Sequence, residues 1–110
     1  MQVLESYRVS YEQRDVDALQ KVYPTAPSNY INGLKYAFKQ YKSLEYTFTA
    51  DPEFLHVDPA LGTATVKRPT LMKPEYKGPG SPPLKHVNTF TLKRENDVWS
   101  IVDLRSVLVK

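Results

Sequence analysis

The last third of the chain, Leu84 to Val107, reads LKHVNTFTLKRENDVWSIVDLRSV, two alternating runs on either side of Glu95-Asn96-Asp97. Alternation with period two over arms of this length predicts a β-hairpin with one buried face, and an Asn-Asp pair suits the tight turn. Leu84, Phe90 and Leu92 share a face of the first arm, and Trp99, Ile101 and Val107 share a face of the second. Polar residues interrupt that apolar row on both arms: His86 and Asn88 on the first, Asp103 and Arg105 on the second. A mixed polar set on a face that should be buried points to a concave sheet.

Upstream of the hairpin the hydrophobic period is helical. Val3, Leu4, Tyr7 and Tyr11 predict a helix from Gln2 to about Arg14. Asp15 can end it and cap a short second helix, Val16 to about Val22, which Pro24 closes. Ser28 is a suitable N-cap for a third helix reaching about Lys42, with Ile31, Leu34, Phe38 and Tyr41 along one face. Gly33 weakens that helix by about 1 kcal/mol relative to alanine and suggests a close approach. From Leu44 the period becomes two. Leu44, Tyr46 and Phe48 open a strand that Asp51-Pro52 interrupts and Phe54 to Val57 resumes. Asp58 to Gly62 is a turn, and Thr63 to about Met72 is the next strand, with Ala64 and Val66 inward. Pro74 to Pro83 reads as a long polar loop. Three helices followed by a run of strands give one α+β domain over residues 1–110, with the helices packed on one face of a curved four-stranded antiparallel sheet.

This order resembles the nuclear transport factor 2-like superfamily, the cystatin-like cone shared with ketosteroid isomerases and SnoaL-like polyketide cyclases, and in particular its small bacterial members of unknown function. The residues that carry the resemblance are Asp15, Ala18 and Leu19 of the second helix, then Thr89, Phe90, Leu92, Trp99 and Ile101 of the closing hairpin. They are packing residues. The resemblance implies a cone-shaped sheet wrapped around helices, a pocket at one end, and homodimers formed through the open sheet face. With little room for extra strands, the pocket should be small or shallow. Enzymes of the superfamily use an Asp or His on the pocket floor as acid or base.

Strand parity places His86, Asn88, Asp103 and Arg105 on one hairpin face. Opposed residues summing to 191 set Asn88 against Asp103; a sum of 193 sets Asn88 against Arg105. With Arg105 near, Asp103 reads as an ion-pair partner ahead of a tuned base. The quartet is read first as a mutually paired polar end of the sheet, next as a ligand site, and last as a catalytic centre using Asp103 or His86. Tyrosine buries a large ring while its hydroxyl seeks a partner, so Tyr7, Tyr11, Tyr30 and Tyr41 are core rings whose hydroxyls can reach a ligand carbonyl. His56 and Asp58, two apart, could share a metal, but no third ligand follows by spacing, and the pair reads as a strand end entering a turn.

Several function classes drop out. There is no cysteine, which removes disulfides, thiolate nucleophiles and Cys-based zinc sites. Gly78-Pro79-Gly80 opens no helix and is not a phosphate loop. The net charge is +3, with Lys35, Lys39 and Lys42 on one helix, Lys67 and Arg68 on a strand, and Lys93 and Arg94 near a turn. That spread reads as solvated surface, so no nucleic-acid partner is expected. No stretch approaches the ~20 apolar residues of a membrane helix, and Met1 leads into an amphipathic pattern without a signal peptide. The expectation is a cytoplasmic protein or an excised domain of a longer one. The functional reading is a non-catalytic small-ligand-binding or dimerisation module; the expected partners are a small apolar ligand and a second copy of the chain through the sheet face, with no cofactor or metal. The alternative is an isomerase- or cyclase-like enzyme.

Overall fold

The computed structural model describes residues 2–80 and 82–109. Three helices, α1 (Gln2–Glu12), α2 (Val16–Val22) and α3 (Ser28–Gln40), precede five strands. These are β1 (Tyr41–Phe48), β2 (Glu53–Asp58), β3 (Thr63–Tyr76), β4 (Leu84–Glu95) and β5 (Val98–Leu108). The sheet is antiparallel in the order β1-β3-β4-β5. The long strand β3 carries β1 along its C-terminal half and β2 along its N-terminal half. Asp51-Pro52 therefore does more than bend one strand. It divides it, and the sheet has five strands where the sequence suggested four.

Local chemistry explains most boundaries. The Asp15 carboxylate accepts the Ala18 N–H at 3.0 Å, so Asp15 is the N-cap of α2. Ser28 is the first residue of α3 and makes no side-chain cap; Pro27 holds the N-cap position. Helix α3 ends at Gln40, earlier than the pattern suggested, and Tyr41 begins β1 with an extended backbone. Strand β3 runs on to Tyr76, so the loop expected over Pro74 to Pro83 is shorter; its Ser81 lies outside the described residues. Nothing packs within 4 Å of where a Gly33 side chain would stand, so the expected close approach is absent. Gly33→Ala should therefore raise stability by about 0.5–1 kcal/mol in denaturant melts.

One buried cluster joins the helices to the sheet. Leu4 and Tyr7 of α1, Leu19 of α2 and Leu34 and Phe38 of α3 meet Val66, Phe90, Leu92 and Ile101 of the sheet. The edge strand β1 is latched to α1 through its outward backbone groups. Glu12 accepts the Tyr46 N–H at 3.0 Å, Arg8 donates to the Tyr46 carbonyl at 3.0 Å, and the two side chains pair at 3.6 Å. An open strand edge is thus closed by side chains.

The hairpin departs from simple alternation at one point. Asn96 and Asp97 take φ of 52° and 62°, the left-handed pair that a two-residue turn needs. Near the turn, Leu92 faces Ile101. One step further, Thr91 faces Asp103, so Val102 is an extra residue on β5. Such a bulge reverses the facing of everything beyond it. Asn88 faces Ser106 and Thr89 faces Arg105. Neither expected register holds past the bulge. Leu104 and Ser106 point inward, while Asp103, Arg105 and Val107 lie on the outer face.

A chain without cysteine makes this testable by single-cysteine labelling. Asp103→Cys should react with a maleimide rapidly in the native state, and Leu104→Cys much more slowly. The reverse order would mean an unbroken hairpin.

Candidate functional site

Between the helices and the concave sheet face lies a cavity of about 290 Å³, lined by Tyr7, Tyr11, Tyr30, Tyr46, Met72, His86, Asn88, Leu104 and Ser106. Its position follows from the fold. Tyr7 and Tyr11 are one helical turn apart on α1, Tyr30 stands in the first turn of α3, and the rest come from the inner faces of β1, β3, β4 and β5. Ligand sites commonly start near 300 Å³, so this cavity is small.

Asn88, 2% exposed, organises the sheet side. Its Nδ2 donates to the Tyr46 hydroxyl at 2.9 Å and to Thr70 Oγ1 at 3.0 Å. Its Oδ1 accepts the Ser106 hydroxyl. Thr70 spends its one hydroxyl proton on the Arg68 carbonyl at 3.2 Å, so toward Asn88 it can only accept, which puts the amide nitrogen on the Thr70 and Tyr46 side and the oxygen toward Ser106. The Tyr7 and Tyr30 hydroxyls lie 2.5 Å apart.

The tyrosine rings pack as they bond. Tyr11 stacks on Tyr46 with centroids 4.1 Å apart, and Tyr7 meets Phe90 edge-on at 5.3 Å. Burial pushes the hydroxyls of Tyr7, Tyr11, Tyr30 and Tyr46 above the ordinary phenol range, so all four are protonated donors near neutral pH. Burial also pushes His86 below its ordinary 6.5. Its imidazole is neutral at pH 7. No carboxylate lines the cavity among the described residues.

Of the residues singled out by sequence, Tyr7, Tyr11, Tyr30, His86 and Asn88 come together here. Three do not. Tyr41 stands at the start of β1, its ring against Tyr76 at 5.2 Å, and faces a different groove. Asp103 and Arg105 are turned out by the Val102 bulge. They approach each other at 3.9 Å with largely exposed side chains, beside Thr65, Thr89 and Thr91 on the outer sheet face. The paired quartet is therefore two pairs on opposite faces. His56 is on β2, and Asp58 accepts the Leu61 N–H at 3.1 Å, capping the turn it enters.

Tyr46, Met72, Leu104 and Ser106 were not singled out. A signal for two of them exists. The apolar row on β5 steps from Ile101 to Leu104, three residues where alternation requires two, which marks a phase change.

No family model matches the sequence, and no curated protein matches it. Solved structures do. A scytalone dehydratase-like protein from Novosphingobium aromaticivorans superposes with a TM-score of 0.83 at 11% identity, over 99% of this chain and 80% of that one. A hexachlorocyclohexane dehydrochlorinase, LinA-type3, from Novosphingobium barchaimii gives 0.78 at 11%, over 96% and 81%. Bd1075 from Bdellovibrio bacteriovorus gives 0.78 at 16%; this chain spans 98% of itself and 40% of Bd1075. The fold is that of the nuclear transport factor 2-like proteins, an α+β cone. At these identities the likeness establishes the fold and no activity. No described helix is long and apolar enough to cross a membrane.

Two outcomes are expected at the site. Asn88→Ala strands buried partners on three strands and should cost about 2–3 kcal/mol in chemical denaturation. For His86, the unfolded chain takes up a proton before the folded one as pH falls. Its contribution is therefore complete above 6.5 and is lost as pH drops through that value toward the lower folded pKa. His86→Gln should flatten that part of the stability profile, and a histidine ring resonance titrating above 6.5 in the native wild type but missing from His86→Gln would contradict the assignment.

Proposed function

We propose that the protein is a non-catalytic binding module whose cone takes a small, mostly apolar molecule carrying one hydrogen-bond acceptor. The observation that supports this most strongly is the pair of hydroxyls of Tyr7 and Tyr30, 2.5 Å apart at the cavity. One hydrogen bond between them uses one of their two protons; if the more deeply buried Tyr7 donates it, the Tyr30 proton is left for whatever enters. Rings and Met72 would enclose the apolar body of the ligand, and the hydroxyl would select a carbonyl or ether oxygen at its head. No cofactor or metal is required by this reading.

Calorimetry with acetophenone and ethylbenzene tests it. The ketone should bind about three- to tenfold tighter, the worth of one neutral hydrogen bond, and Tyr30→Phe should erase the difference. Absence of saturable binding, or a ratio untouched by Tyr30→Phe, would count against the module.

Copies of the chain pair, in this proposal, through the outer sheet face. That face presents Leu71, Val87, Val107 and Val109 beside Asp103 and Arg105. Val107 and Val109 are 66% and 51% exposed. About a two-fold axis, Asp103 of one copy can meet Arg105 of the other, so the face is self-complementary. Light scattering after size exclusion should give the mass of two chains, reduced to one by Val107→Lys.

A second reading, an isomerase-, cyclase- or elimination-type enzyme, is favoured by one observation: a neutral imidazole opening into the cavity. Two structural neighbours carry dehydratase and dehydrochlorinase names. With Asp103 on the other face, His86 alone would be the base, without a carboxylate to orient it. Base-catalysed deuterium exchange α to the acetophenone carbonyl, faster with wild type than with His86→Gln, would favour this reading over the first.

A further inference from the structure

Where α1 ends and α3 runs into β1 lies a second recess, larger than the cone cavity, of about 540 Å³. It is built where three parts of the chain meet. Arg14 follows α1, Lys35 and Lys39 are one turn apart on α3, Lys42 is on β1, and Lys77 follows β3. The sequence scatters these five cations over 64 positions' worth of chain, from residue 14 to residue 77; the fold gathers them around one mouth. Phe38, Val16 and Tyr41 form its apolar floor.

Two features distinguish this recess from ordinary solvated lysines. First, no carboxylate lines it among the described residues, and the cations are poorly compensated. Only Lys42 has an acidic partner, Glu75 at 3.3 Å; no described carboxylate lies within 4 Å of Arg14, Lys35, Lys39 or Lys77. Lys35 and Lys39 are a like-charge pair at i, i+4, which by itself disfavours the helix. Second, the frame is held. Arg14 takes a left-handed backbone, φ 57°, and donates one guanidinium N–H to the Tyr41 carbonyl at 3.1 Å. The Lys77 N–H donates to the Gln40 carbonyl at 3.0 Å, which pins the end of β3 to the end of α3. Arg14 keeps guanidinium donors to spare, and a guanidinium flanked by ammonium groups matches the geometry and charge of phosphate oxygens.

We propose that this recess binds a small anion with two or more negative charges, of the phosphate type, independently of the cone cavity. The source can be an inorganic phosphate chain or an organic phosphate whose apolar part rests on Val16 and Phe38. Pyrophosphate and ADP separate the two: equal affinity identifies the phosphates as the whole ligand, and tighter ADP binding adds the apolar floor. Both outcomes support the site.

Titration of the ¹⁵N-labelled full chain with each probe at low ionic strength is the test. Saturable shifts should appear at Arg14, Lys35, Lys39 and Lys77 and leave Tyr7, Tyr30 and His86 unmoved. Binding should weaken as salt rises to 0.15 M, where the screening length falls to about 8 Å. The Lys35→Glu, Lys39→Glu double variant should lose about tenfold or more in affinity, since two attractive charges become repulsive; Lys21→Glu, on α2, should not. Circular dichroism of the double variant establishes that it is folded. No saturable shift with either probe, or affinity unchanged in the folded double variant, would overturn the proposal. Acetophenone binding at the cone is judged by calorimetry with Tyr30→Phe, a residue outside this recess, so each site can fail without the other.

Discussion

The Asn88 amide is the contact on which the inner wall of the cone depends. Its three hydrogen bonds reach Tyr46 on β1, Thr70 on β3 and Ser106 on β5. A buried amide left half-satisfied costs more than an apolar residue would, so these strands are held to one mutual register at this level of the sheet. The same amide sets the sense of the hydroxyls beside it. Fold and site are thus specified by one side chain, and the polar wall is rigid before any ligand arrives.

The Val102 bulge makes that contact available. Without the bulge, the register set by Leu92 and Ile101 would continue and turn Arg105 toward Asn88, and a charged group would face a nearly dry wall. With it, a serine hydroxyl of suitable size meets the amide, Leu104 covers Phe90, and both charges go to water. Inserting one residue into a strand changes the chemistry of the cavity from ionic to neutral. The donor set that results suits an acceptor-bearing ligand better than it suits proton transfer by a carboxylate.

Much of the architecture was legible in the sequence because it rests on periodicity and caps. The switch from period 3.6 to period two at the end of α3, the Asp15 cap and the Phe90–Leu92–Ile101 row each have a local cause. The first arm of the hairpin was read correctly as far as His86 and Asn88 for the same reason. The second arm was not, because a bulge is a property of a pair of strands and leaves only a slipped apolar step, Ile101 to Leu104, in one of them. Tyr41 was misplaced for a related reason: its spacing from Phe38 fits a helix face, yet α3 stops one residue before it. The basic recess was invisible to a reading along the chain, since Arg14 and Lys77 adjoin Lys39 only after β3 has returned to the helices.

The charge pattern and the cone answer different needs. The concave side is neutral and closely hydrogen-bonded, whereas five of the cations collect where α1 and β3 end and α3 meets β1. The central claim, a neutral wall anchored by Asn88 and set by a bulge, is tested most directly by the side-chain amide of Asn88 in nuclear Overhauser spectra of the free protein. Both Nδ2 protons should exchange slowly with water and show cross-peaks to the Tyr46 ring and the Thr70 side chain, with Ser106 protons also near. Rapidly exchanging amide protons, or cross-peaks to Arg105 in place of Ser106, would contradict the account.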